Sequence, residues 1–285
     1  MNKKLLKILG SALLLVFALI GFTVNSQQDR TKLEIDYLDV GQGDAILIKT
    51  PYQQNILIDG GPDASVLAAL GENMAFFDKN IDLMILTHPH ADHVDGLVDV
   101  LKRYQVKKIA FTGVLHTAPD YLAFLEEIKN QNIPTLLINQ KMDLDLGADL
   151  KLQFLYPLTD LSGKKSDNLN DTSIVNRLIY KDKKFLFMGD LGQEGEADLL
   201  KYNFDLTSDI IKIGHHGSKY STLPALLDQV KSQIAIIPVG KDNDFGHPHA
   251  ATLDLLKDKN IVIKRTDELG DIKLISDGQN IEFKN

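Results

Sequence analysis

"THPHADHVDG", residues 87–96, places three histidines and two aspartates in ten positions. A polar loop capping a helix at Val94, with Asp92 as N-cap, would tolerate such a stretch. A metal site would require it. Pro89 biases His88 toward an extended backbone, so His88 and His90, two residues apart, point the same way. Asp92 and His93 then open the next helix and can turn toward a second position. Imidazole nitrogen and carboxylate oxygen suit zinc, and manganese or iron accept the same donors. Two donor pairs this close admit two metals about 3.5–4 Å apart.

The flanks of this stretch set the fold class. "IDLMILT" before it reads as a buried strand, and "VDGLVDVLKRY" after it as a helix. From Leu33 onward the same alternation fills the chain. Strands fall at "LEIDYLDV", "AILIKT" and "NILIDGG", with "GQG" turning between the first two. Helix "ASVLAALGENMAFF" precedes the stretch, and strand "KKIAFTG", helix "DYLAFLEEIKNQ" and strand "PTLLIN" follow it. The second half repeats the style. It has strands "LKLQFLYP", "SIVNRLIY", "KKFLFMGD", "SDIIKIG" and "SQIAIIPVG", with helices at "EGEADLLKY", "LPALLDQV" and "AATLDLLKD". The closing strands are "IVIKR", "GDIKLIS" and "QNIEFK". Two strand-rich halves with interspersed helices predict two sheets face to face with helices outside.

The chain has eight histidines. Beyond His88, His90 and His93, the pairs His215–His216 and His247–His249 each directly follow a predicted strand. Only His116 stands alone, and it reads as a loop residue. Strand ends are where side chains converge on a shared cleft. Tandem histidines after an apolar strand therefore favour function over a turn or core role. Asp190, closing "FLFMGD", and Asp59, in "IDGG", also sit at strand ends, where a simple turn carboxylate is the competing reading.

These stretches resemble the metallo-β-lactamase superfamily, whose H-x-H-x-D-H motif "THPHADHVDG" matches. "DVGQGDAILI", "NILIDGG", "NDTSIV", "FLFMGD", "IKIGHHGS" and "NDFGHPH" follow in the order found in the carboxy-terminal hydrolase domain of ComEC-type competence proteins. The resemblance covers residues 33–285. It implies an αββα sandwich with metals at one edge. It assigns His88 and His90 to a first metal, Asp92 and His93 to a second, and Asp190 to a bridge between them. Asp92 thus serves the metal and the catalysis together. Asp59 braces the ligand loop, and of Asp39 and Asp44, which flank "GQG", Asp44 is either a second brace or a turn residue.

In "GHHGS" His216 is taken as the second-metal ligand and His215 as a proton-donating group, with the reverse order left open. His247 faces the substrate, as acid or phosphate contact, and His249 reads as a solvated first-turn residue. The chain departs from many superfamily members in one place. A "GHT" turn that supplies a third histidine is replaced here by "LNDTS", where Asn170 or Asp171 must substitute. An amide oxygen is the weaker zinc ligand, so one firmly bound ion is as consistent with the sequence as two.

The amino terminus bears on location. "MNKKLLK" is basic, and residues 8–24 form an uncharged apolar run of 17. That is the layout of a signal peptide or membrane anchor over residues 1–26, with the basic end cytoplasmic and the body outside. Residues 27–32 form a polar linker, and 33–285 the hydrolase domain. At most one membrane span excludes a channel by itself.

The 285-residue chain carries a net charge of −8, which argues against broad nonspecific nucleic-acid binding but leaves a local basic path open. It has no cysteine, so disulfides, thiolate ligands and a cysteine nucleophile are excluded. The resemblance, with that amino terminus, implies an extracytoplasmic phosphodiesterase or nuclease that uses one or two Zn2+ ions, with Mn2+ as an alternative. DNA is a candidate substrate, and Lys219 and Lys241 are candidate phosphate contacts. Two alternatives stand beside it. One is a metallohydrolase of another ester (phosphocholine esters included), a lactone or a β-lactam. The other is a metal-holding competence accessory protein without turnover.

Overall fold

The computed structural model describes residues 31–284. The expected signal or anchor over 1–26 lies outside the described residues, as does most of the linker. Among the described residues no helix is long and apolar enough to cross a membrane.

The first half runs β1 (Leu33–Tyr37), β2 (Ile46–Lys49), β3 (Asn55–Ile58), α1 (Ser65–Asn73), β4 (Asn80–Ile81), β5 (Leu83–Ile85) and α2 (Ala91–Arg103). It continues through β6 (Gln105–Val106), β7 (Ile109–Phe111), α3 (Pro119–Gln131) and β8 (Thr135–Leu137). The second half contains β9 (Met142–Gly147), β10 (Leu150–Tyr156), β11 (Val175–Tyr180), β12 (Lys183–Phe187), α4 (Gln193–Leu200) and β13 (Ile210–Lys212). After it come α5 (Pro224–Val230), β14 (Ile234–Ile237), α6 (Ala250–Asp258), β15 (Val262–Arg265), α7 (Thr266–Leu269), β16 (Ile272–Ser276) and β17 (Ile281–Lys284).

One sheet has the order β17-β16-β1-β2-β3-β5-β7-β8 and the other β15-β14-β13-β12-β11-β10-β9, while β4 and β6 form a small separate pair. Each large sheet is antiparallel at one end and parallel at the other. In the first, β3, β5, β7 and β8 run parallel, and in the second β12 to β15 do.

The period-two alternation of the strands explains the layers. Ile46, Ile48, Ile56 and Ile58 face Phe154, Phe185, Phe187 and Ile210 across the sandwich. The intervening Leu47 and Leu57 turn outward beneath the helices, against Val94, Leu97, Val98 and Leu101 of α2, which recur at helical spacing. On the other sheet Leu186, Met188, Ile211 and Ile213 pack under Leu199, Leu226, Leu227 and Leu256 of α4, α5 and α6. The result is the expected αββα arrangement.

Several details differ from the sequence reading: the helix expected through Phe77 ends at Asn73, where the Met74 backbone turns extended, and β6 and α7 were not expected. That reading assigns no strand to residues 142–147, yet these form β9, whose Asp143 and Asp145 are exposed because β9 is an edge strand. It also treats the last three strands as one closing group. β15 instead extends the second sheet, while β16 and β17 cross back to pair beside β1.

Candidate metal centre

Strand ends of both sheets meet at one edge of the sandwich. β5 runs into Thr87–His90, with His90 extended at the N-cap of α2. β12 leads to Asp190, and β13 to a tight turn over Gly214–Gly217. Within that turn His215 and His216 both take left-handed backbone (φ 50° and 51°), an uncommon conformation for residues with a side chain. It splays consecutive rings apart, with planes at 71°.

The loop after β1 closes over the start of α2. Asp44 N donates to Asp92 O at 3.2 Å. A Cβ on Gly43 would fall 2.3 Å from that oxygen, so only glycine fits there.

Asp92, His93, Asp190 and His216 bring ligand atoms within 4.8 Å of one another. Asp190 Oδ2 lies 3.3 Å from His93 Nε2 and 3.4 Å from His216 Nε2, and Asp92 Oδ2 lies 3.3 Å from His216 Nε2. The other ring nitrogens are engaged behind. His93 Nδ1 meets Asp59 Oδ2 at 2.8 Å, and His216 Nδ1 meets the Pro238 carbonyl at 2.9 Å. With Nδ1–H donated outward, each Nε2 faces the cluster, where it carries a proton in the absence of a cation and would offer a lone pair to one that displaces that proton. Both Nε2 atoms are buried without a hydrogen-bond partner. Asp59 is itself fixed, accepting from Thr87 N at 2.8 Å and Thr87 Oγ1 at 2.7 Å.

Burial opposes every charge in this cluster, but the charges outweigh it. Burial pushes His93 down, yet Asp190, Asp59 and Asp92 hold it well above the ordinary histidine range. His216 is likewise raised to about 10, by Asp190 and Asp44 against burial. Asp190 is held well below the carboxylate range by His216, His93 and Lys212, again against burial. The carboxylates are in surplus and draw positive charge onto two imidazoles. A divalent cation among these oxygen and nitrogen donors meets the same demand, so the residues fit a metal ion.

His88 and His90 form a second donor pair, with His88 Nε2 2.9 Å from His90 Nδ1 and His88 Nδ1 3.1 Å from Thr87 Oγ1. Burial pushes both pKa values down, toward the neutral imidazole that ligates metal. No histidine occupies the third position. Asn170 sets its amide Nδ2 3.3 Å from His215 Nδ1, with its Oδ1 buried and unpartnered. Asp171 turns toward α4 instead. Asn168 Nδ2 donates to its Oδ2 at 2.7 Å, and a Cβ on Gly195 would lie 3.2 Å from its Oδ1.

Half-buried His215 places Nε2 3.9 Å from Asp190 Oδ2, and its ring is 5.2 Å from that of His247. Burial and the neighbouring histidines push His247 down to about 4, and its Nδ1 is unpartnered. His249 is half-buried rather than solvated. Its Nδ1 accepts from Lys219 N at 3.2 Å, and its ring packs 4.9 Å from that of His247. His116 sits in a separate loop beside Tyr121, and Asp39 caps its own turn by accepting from Gly41 N. Lys219 and Lys241 are exposed.

One residue escapes the sequence reading. Lys212, fully buried at the end of β13, ion-pairs with Asp44, lies 3.5 Å from Asp190 Oδ1 and donates to Gly189 O at 2.7 Å. Its signal was a single lysine inside the apolar run "DIIKIG".

The metallo-beta-lactamase superfamily pattern matches residues 38–241. ComE operon protein 3 of Bacillus subtilis is 30% identical over 257 residues, covering 84% of this chain and 32% of that protein. Competence protein ComA of Neisseria gonorrhoeae is 29% identical over 234 residues, covering 81% of this chain and 30% of that one. The chain spans about a third of the length of these curated relatives.

Igni18, a metallo hydrolase from the archaeon Ignicoccus hospitalis, superposes with a TM-score of 0.54 at 12% identity, covering 85% of this chain and 98% of that one. CmlA, a diiron beta-hydroxylase from Streptomyces venezuelae, gives 0.53 at 15% identity, covering 82% of this chain and 52% of that one. At such identities the likeness is one of fold. By the length of the family match, and with a histidine–aspartate cluster where its two sheets meet, the chain belongs to the metallo-beta-lactamase superfamily.

Proposed function

We propose that the protein is a metal-dependent phosphodiesterase, held at or released from the outer face of the cytoplasmic membrane by residues 1–26. The observation that carries this reading is the pair of unpartnered, inward-facing Nε2 atoms of His93 and His216 among surplus carboxylates. Asp92, His93, Asp190 and His216 would hold one ion, and His88 and His90, with Asp190 shared, another. Zinc suits these donors best. Bound there, such an ion supplies Lewis acidity and water ionised near neutral pH.

The chain's own residues orient the rest. Asp59 and the Pro238 carbonyl fix the tautomers of His93 and His216. His215, steadied by Asn170, stands as proton donor to the leaving oxygen. His247 offers an unpartnered Nδ1 to a phosphoryl oxygen. The name of one curated relative, competence protein ComA, connects this branch with competence, and DNA is the phosphodiester proposed on that ground.

A second reading, metal holding without turnover, is favoured by the absence of a third histidine near Asn170. A chromogenic bis-phosphodiester assay with defined metals, run beside a β-lactam and a lactone, separates the two. Turnover on the phosphodiester alone, abolished by chelation and restored by zinc or manganese, is expected. Asp190→Ala should lose metal at both positions, and His93→Ala should slow turnover at least ~100-fold, the scale of a lost electrostatic anchor. Full metal content in Asp190→Ala, or full activity after chelation, would exclude this site as the hydrolytic centre.

A further inference from the structure

The edge of the sandwich opposite the metal centre carries its own feature. Phe76 and Phe77, between α1 and β4, are 80% and 72% exposed, and their rings pack edge to face at 4.9 Å. Two adjacent phenylalanines held in water at a loop tip have no role in the core.

The topology fixes where they stand. β1, β3 and β5 run in the same direction and end at the metal centre. Their starts, and the segment leading into β5, therefore lie at the far edge. So does Leu33, where the hydrolase domain begins. Lys49, at the end of β2, links the two. Lys49 Nζ contacts Glu34 Oε1 at 2.5 Å and donates to Asn73 O at 2.8 Å, three residues before Phe76.

The nine peptide steps from Val24 to Leu33 reach at most roughly 30 Å when fully extended. An apolar segment at 8–24 seated in a bilayer would keep Leu33 within that reach of the membrane surface. The edge also carries exposed cations, interspersed with Glu72, Asp78, Asp82 and Asp99. Lys79, Lys102, Arg103, Lys107 and Lys108 are all exposed there, although Lys102 pairs with Asp99 and Lys107 with Asp82.

From these observations we infer that Phe76 and Phe77 dip into the outer leaflet of an anionic membrane, with the basic residues meeting lipid phosphates. The metal centre then faces away from the bilayer. This rests on the membrane reading of residues 1–26 and adds an orientation to it. Paired aromatics beside lysine and arginine suit the headgroup boundary, which is apolar on one side and charged on the other.

The chain contains no tryptophan, so a single introduced one reports alone. Full-length Phe77→Trp would be reconstituted in vesicles of equal parts phosphatidylcholine and phosphatidylglycerol, with plain or brominated acyl chains. Full-length Tyr220→Trp, beside the metal centre and 66% exposed, is the comparison. Phe77→Trp should lose roughly half its emission in brominated vesicles, as expected about 5–10 Å below the headgroups, while Tyr220→Trp is unchanged.

Several results would overturn the inference. Floating with vesicles but no quenching at residue 77 would mean the edge stays in water. A blue-shifted emission equal in both vesicles would mean a protein surface, such as a second copy, covers the loop. Equal quenching at both positions would remove the orientation. Failure of the chain to float with vesicles would overturn both this inference and the membrane reading it rests on.

Discussion

At the scale of single residues, the candidate site is built from buried charge without full compensation. Lys212 is the fixed cation between Asp44 and Asp190. Lys212→Met would leave two buried carboxylates short of a partner, a loss of about 3–5 kcal/mol when one member of a buried pair is removed. Metal at the neighbouring cluster would supply part of the missing charge. The expected result in urea denaturation is a large loss for the metal-free variant and a smaller one with zinc added.

Asp36 behaves differently. It is fully buried and lies 2.8 Å from Lys49, but that ammonium also serves Glu34 and the Asn73 carbonyl. Burial therefore wins, and its pKa is pushed up to about 6. A raised folded pKa means the stabilisation is fully present below the unfolded value and is lost as pH rises through 6. The loss is roughly 2–3 kcal/mol by linkage. Asp36→Asn should flatten the fall in stability between about pH 4 and pH 7 relative to wild type, as read by denaturation at a series of pH values.

At the scale of elements, the centre depends on how closely α2 approaches the loop after β3. Gly60 N donates to His93 O at 2.9 Å, and Gly96 N donates to Gly61 O at 3.1 Å. A Cβ on Gly96 would lie 1.9 Å from Gly60 O, a distance no rotamer relieves because both atoms belong to backbone. Gly96→Ala should push α2 outward and carry Asp92 and His93 with it. A loss of about 1–3 kcal/mol is expected from overpacking, together with reduced metal content by elemental analysis. Unchanged metal content would mean that α2 shifts without moving its first turn. Most of the strands and helices were legible from periodicity, though α7 and the two-residue β6 were not. Nor was β9, because an edge strand with two exposed aspartates lacks the apolar density that marks its neighbours.

At the scale of the whole molecule, the donor set spans both halves. His88, His90, Asp92 and His93 follow strands of the first sheet, while Asp190 and His216 follow strands of the second. A bound ion would therefore cross-link the two sheets at one edge of their shared core. Chelation should lower Tm for the entire domain in a single transition rather than loosen one half. At a free ion concentration 100 times Kd the stabilisation is about 2.7 kcal/mol. Differential scanning calorimetry with and without chelator reads both the shift and the cooperativity, and two separated transitions would contradict the cross-link.

The sequence by itself determined the layered architecture, because alternation along strands and three-to-four spacing along helices are local properties of the chain. It also marked the histidines and aspartates at strand ends, since clustered ionisable side chains after apolar strands are visible in one dimension. Tertiary structure alone decided which of them face one another. The tandem pair His215–His216 could not be ordered from sequence. Two consecutive left-handed residues turn His216 into the carboxylate cluster and leave His215 beside His247. Asn170 and Asp171 were equivalent until the turn aimed one at His215 and the other at α4. Lys212 became part of the site only when β13 docked beside β12 and carried its ammonium between Asp44 and Asp190. Side-chain direction at a strand end is set by backbone dihedrals and by neighbours distant in sequence, and neither is encoded in the spacing of residue types.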